Sequence, residues 1–77
     1  MKDTRAEIYI KAFDKDGNPA DFSAYYYHDR DCDGIPMKDF KQYVKDNAER
    51  IAEENCELMD YDFVAVLSIG FETLDVD

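Results

Sequence analysis

No lysine or arginine falls among residues 51–77, a stretch that holds eight acids. The whole chain carries 19 acids against nine bases, a net charge of −10 in 77 residues. A charge of that sign and size excludes nucleic acid or an anionic membrane as the direct ligand and favours a basic protein surface. Other scarcities exclude chemistry. The three glycines, Gly17, Gly34 and Gly70, stand far apart, so no glycine-rich phosphate loop exists. The one histidine, His28, has no serine or cysteine arranged around it as a nucleophile, and no carboxylate pair stands out as acid and base. No cofactor motif is present, and a non-catalytic protein is expected. Two cysteines, Cys32 and Cys56, make neither a disulfide framework nor a zinc spacing. With no apolar run near the N-terminus long enough for a signal peptide or a span, a cytoplasmic chain with free thiols is expected.

What is present suffices for folding. The composition is 45% hydrophobic and 14% aromatic, too apolar for a disordered acidic tail. A chain of this length makes one domain, 1–77, with one small core. Residues 6–13, "AEIYIKAF", alternate strictly between apolar and mixed positions, the period of a half-buried strand. The turn chemistry of "DKDGNPAD" and the aromatic run "FSAYYYH" then predict a hairpin. From Pro36 the period changes. Met37, Phe40, Val44, Ala48, Ile51 and Ala52 fall on one stripe and predict a helix from about 36 to 57. The nearly continuous apolar run "FVAVLSIGF" predicts a third strand, whose hydrophobicity suggests a central or doubly covered position in the sheet. The expected fold is α+β: a three-stranded antiparallel sheet with one helix packed on one face, in the order ββαβ.

In such a fold Ile8, Ile10, Phe22, Leu67 and Ile69 face the helix, leaving Tyr9, Phe13, Tyr25, Tyr27, Val64 and Val66 on the other side. An uncovered aromatic face of this kind suits a partner or a second copy of the chain. The alternative is that the rings pack on one another across the strands.

The segment "HDRDCDGIPMKDF" resembles the first half of an EF-hand calcium loop. Asp29, Asp31 and Asp33 match its first three carboxylate positions, and Gly34 matches its glycine. The second half departs: Pro36 takes the hydrophobic position, Phe40 the place of the closing glutamate, and Asp39 comes one residue early. Calcium needs six to eight oxygens, so Asp29, Asp31, Asp33 and Asp39 are weak metal candidates and no resident metal is expected. The same acids suit the N-terminal end of the following helix, with Asp33 placed to cap it.

The charge order along that helix is the strongest functional signal. Lys38, Lys41 and Lys45 come early and Asp46, Glu49, Glu53, Glu54 and Glu57 late, with Arg50 alone among them, the reverse of what the helix dipole favours. Pairs at Asp46–Arg50 and Arg50–Glu54 offset part of this. Acids arranged against their own helix point to a role outside the fold, the rival reading being a solvated face that keeps the chain in solution. If the third strand returns beneath the helix end, Asp60, Asp62, Glu72, Asp75 and Asp77 extend the acidic zone.

In size, in acidity and in the runs "DNAERIAEENCELMDYD" and "ETLDVD", the chain resembles small phage-encoded inhibitors of bacterial defence, such as anti-CRISPR proteins and other DNA mimics. That resemblance implies stoichiometric blocking of a nucleic-acid-binding groove without chemistry. The expected binding residues are Asp46, Glu49, Glu53, Glu54, Glu57, Asp60 and Asp62 toward a basic, nucleic-acid-handling protein. Tyr25 and Tyr27 serve the alternative, a homodimer or adaptor module.

Overall fold

The computed structural model describes residues 2–31 and 34–75; the expectations placed on Cys32, Asp33 and Asp77 fall outside them. Strand β1 (Lys2–Phe13) is followed by β2 (Phe22–Tyr27), a single helical turn α1 (His28–Asp31), the long helix α2 (Met37–Met59) and strand β3 (Asp62–Asp75). The fold is α+β, with three antiparallel strands and one main helix, as the sequence periodicities predict.

The order across the sheet is β2-β1-β3, which corrects the central place expected for the third strand. The alternating strand β1 lies in the middle and the apolar strand β3 lies at an edge. Continuous hydrophobicity misleads here because β3 carries two bulges. Tyr9 pairs with Ser68 but Ile10 with Val66, and Lys11 pairs with Ala65 but Ala12 with Phe63. Leu67 and Val64 are therefore extra residues in the ladder, and a run that contains such insertions no longer reads with period two.

The bulges also change which side chains meet the helix. Phe71, Ile69, Val66 and Phe63 stand opposite Ala6, Ile8, Ile10 and Ala12 and pack on the core, so Val66 moves from the outer face to the inner one. Leu67, expected inside, is 57% exposed.

The core itself is the α2 stripe Phe40, Val44, Ala48, Ile51, Ala52 and Cys56 set against the even-numbered residues of β1. Alanines at 6, 12, 24, 48 and 52 let helix and sheet approach closely, and Phe40, Ile8, Ile10 and Val44 fill the space. Truncating one of these large side chains typically costs about 2–5 kcal/mol.

Both ends of α2 are set by local chemistry. Pro36 is the N-cap, and no side chain among the described residues caps the first amides. The C-terminal end closes at Asp60, which adopts a left-handed conformation (φ 60°, ψ 41°). Its amide donates to Glu57 O (3.1 Å) and the Tyr61 amide to Cys56 O (2.8 Å), a paired closure that satisfies two terminal carbonyls. The β1–β2 hairpin is built on Asp14, whose Oδ1 accepts from the amides of Asp16 and Asn18, while Gly17 takes the positive φ the turn requires.

Candidate functional site

Asp46, Glu49, Glu53, Glu54, Glu57, Asp60 and Asp62 are all exposed. Those on α2 lie on the side turned away from the sheet, because the opposite stripe is consumed by the core. Glu49, Glu53 and Glu57 follow one another at four-residue intervals, about 6 Å apart along the axis. Like charges at that spacing destabilise a helix by roughly 0.2–0.5 kcal/mol per pair, and α2 has no basic residue in its last turn to offset them.

Two cations stand within this zone. Arg50 donates to Glu54 at 3.0 Å, and Glu54 holds its guanidinium above the ordinary value. The second expected partner of Arg50, Asp46, instead accepts from the Gln42 side-chain amide at 2.8 Å. The other cation is Lys15. It reaches over from the hairpin turn to Asp62 at 2.9 Å and to Asp60 at 3.8 Å, and the bond to Asp62 raises its pKa. No motif announces Lys15; only the pairing of Phe13 with Asp62 brings the turn to the helix end. Asp46, Glu49, Glu53 and Glu57 form no ion pair among the described residues.

Between Lys15 and the helix end lies a groove of about 440 Å³, walled by Glu53, Glu57 and Asp62 with the rings of Tyr61 and Phe63. Cys56 also lines it, and its thiol is pushed up, first by burial and then by the negative field of Asp62 and Glu53. Carboxylates beside aromatic rings make a surface that receives ammonium or guanidinium groups.

The zone is shorter than expected at its other end. β3 does return beneath α2, but it carries Glu72 and Asp75 away from Asp60 and Asp62 toward the far end of the sheet. There Glu72 pairs with Arg5, and Asp75 stands opposite Lys2 in the ladder. The anionic surface is thus α2 and its closing turn.

On the open face of the sheet Tyr9 and Tyr25 are each 48% exposed. Tyr25 donates its hydroxyl to Glu7 at 2.8 Å. Arginines cap the rings: Arg5 lies 4.7 Å from the Tyr25 centroid and Arg30 lies 4.2 Å from that of Tyr27. Tyr27 is in consequence half-buried, and the aromatic face is largely occupied by its own cations.

The described acids of the calcium-like segment, Asp29, Asp31 and Asp39, disperse. Asp31 accepts from the Tyr27 amide at 2.7 Å, and Asp39 is exposed in the first turn of α2. Asp29 joins its neighbour His28 and the distant Asp3; one ligand atom from each lies within 4.8 Å of the others. Segment 28–31 is helical, and it carries the carboxylates of Asp29 and Asp31 to different partners.

Among the described residues no helix is long and apolar enough to cross a membrane. The chain matches no protein-family model, no curated protein and no solved structure.

Proposed function

We propose that the protein is a non-catalytic, cytoplasmic binder that docks the acidic face of α2 and its closing turn on the basic surface of a nucleic-acid-handling protein, as an anti-CRISPR or DNA-mimic inhibitor does. The observation that carries this reading is the row Asp46, Glu49, Glu53 and Glu57, four exposed carboxylates without ion-pair partners among the described residues. They span about 16 Å of rigid helix. Mutual repulsion works against Glu49, Glu53 and Glu57, the helix dipole works against Glu57 in the last turn, and a cationic partner relieves both. Fixed carboxylates at intervals of about 6 Å offer lysine and arginine side chains a substitute for a phosphate backbone. Asp60 and Asp62 continue the row beyond the helix.

The test is a pull-down from nuclease-treated bacterial lysate with the native chain and with Glu49, Glu53 and Glu57 all changed to lysine. The expected result is a nucleic-acid-binding protein retained at low salt, released at high salt and lost in the variant while its circular dichroism is unchanged. Retention by a folded triple variant overturns the proposal.

A second reading, a homodimer through the open sheet face, is favoured by the exposure of Tyr9 and Tyr25 with Leu67 and Val64 on the neighbouring edge strand. Sedimentation at micromolar concentration decides it: a single monomeric species removes the dimer.

A further inference from the structure

We infer that Asp3, His28 and Asp29 form a binding site for a borderline divalent transition metal, with zinc or manganese as the fitting ions. The argument begins with Asp3, which is 6% exposed at the start of β1. A buried carboxylate is costly unless a cation or a full set of hydrogen bonds compensates it. Asp3 has no ion pair among the described residues. Both of its hydrogen bonds fall on one oxygen: Oδ1 accepts from the Thr4 amide at 2.8 Å and from the Asp29 amide at 3.3 Å. Neither of these bonds uses Oδ2.

His28 supplies an independent observation. Its Nε2 meets the Ile35 carbonyl at 2.5 Å, and a carbonyl can only accept, so Nε2 carries the hydrogen and Nδ1 of the neutral ring presents a lone pair. That Nδ1 is buried and, among the described residues, has no hydrogen-bond partner. An imidazole whose outer nitrogen is tied to a backbone carbonyl while the other points at carboxylates has the arrangement of a metal-ligating histidine. The ring is also braced edge-on against Phe40, 5.4 Å between centroids, so its direction is set by the core.

The spacing suits a small ion. Asp29 Oδ1 lies 3.5 Å from His28 Nδ1, close to the separation of about 3.4 Å that two ligands at zinc–nitrogen and zinc–oxygen lengths take in a tetrahedron. The three ligand atoms lie within 4.8 Å of one another, and the Asp29 side chain is 44% exposed. One nitrogen and two carboxylates neutralise a dication and leave open positions for water. This donor set favours zinc or manganese over calcium, which takes oxygen ligands alone. A metal here would join the first residues of β1 to the turn between β2 and α2, and it would do so at the opposite end of the sheet from the acidic face of α2.

The experiment titrates metal-free protein, in a Cys32→Ser background that removes the thiol nearest in sequence, with zinc chloride, manganese chloride and calcium chloride. It is read by calorimetry and by the 15N resonances of the His28 ring. The expected result is one saturable zinc site that shifts Nδ1 and leaves Nε2 protonated. Asp29→Asn should weaken that site by roughly ten- to a hundredfold, while Asp39→Asn and Asp46→Asn leave it unchanged. Because Asp29 is exposed, its substitution spares the core even if His28→Gln does not fold. Weak unsaturable binding of all three cations, zinc binding that survives Asp29→Asn, or a Nδ1 resonance that does not move would each overturn the inference.

Discussion

Asp60 is the one non-glycine position with positive φ among the described residues, and it places a negative charge at the negative end of α2. A left-handed conformation costs an ordinary L-residue roughly 1–2 kcal/mol, somewhat less for aspartate, and glycine escapes it. Replacing Asp60 by glycine should therefore stabilise the protein by about 0.5–1 kcal/mol in urea unfolding, after allowance for glycine's own entropy. Its ion pair with Lys15 is solvent-exposed and changes that figure little. Cys56 behaves oppositely with pH. Burial raises its thiol pKa, so the folded state holds the proton more tightly than the unfolded chain, whose thiol titrates near about 8.5. The contribution is complete below that pH and is lost as pH rises through the unfolded and then the folded value. The stability difference between the native chain and Cys56→Ala, both in the Cys32→Ser background, should shrink between about pH 8 and pH 10. A difference that stays constant across that range would contradict the burial argument.

At the scale of elements, α2 is the unit whose charges and fold disagree. Glu57→Lys removes a like-charge neighbour of Glu53 and places a cation in the last turn, which should raise stability by roughly 0.5–1 kcal/mol at low salt and less at high salt. Denaturant midpoints at two ionic strengths check both signs. The edge strand gives another test. Leu67→Lys should cost under about 0.5 kcal/mol because the bulge turns Leu67 outward, whereas Ile69→Lys, opposite Ile8, should prevent folding. These elements also mark how far the sequence was legible. Strand β1 and the stripe of α2 follow single periods and could be read directly. The place of β3 could not, since two inserted residues shift the inward positions that follow Phe71 and Ile69 from 67 and 65 to 66 and 63. The acidic row was legible because neighbours on a helix face need no tertiary information. Lys15 beside Asp62, and Asp3 beside Asp29, lie 47 and 26 residues apart and depend on strand pairing that composition does not encode.

For the whole molecule, a charge of −10 on a body 43 by 24 by 19 Å opposes its own compaction. Raising sodium chloride from low to roughly physiological levels and beyond, where screening lengths fall to about 8 Å or less, should raise the unfolding midpoint while weakening the complex with a basic partner. Opposite responses in the two measurements would separate charge kept for binding from charge kept for solvation alone. The central position of β1 has a kinetic consequence as well. Its pairs with β2 close across one short turn, but those with β3 join residues separated by 49 positions at Phe13–Asp62 and by 73 at Lys2–Asp75. Closing so long a loop is slow, so the hairpin can form early while the other flank of β1, with Ile8 and Ile10 in its middle, waits for its neighbour. During that interval a second molecule's β3 can take the vacant place as readily as the chain's own. Refolding yield should accordingly fall as protein concentration rises, with exchanged-strand dimers as the by-product.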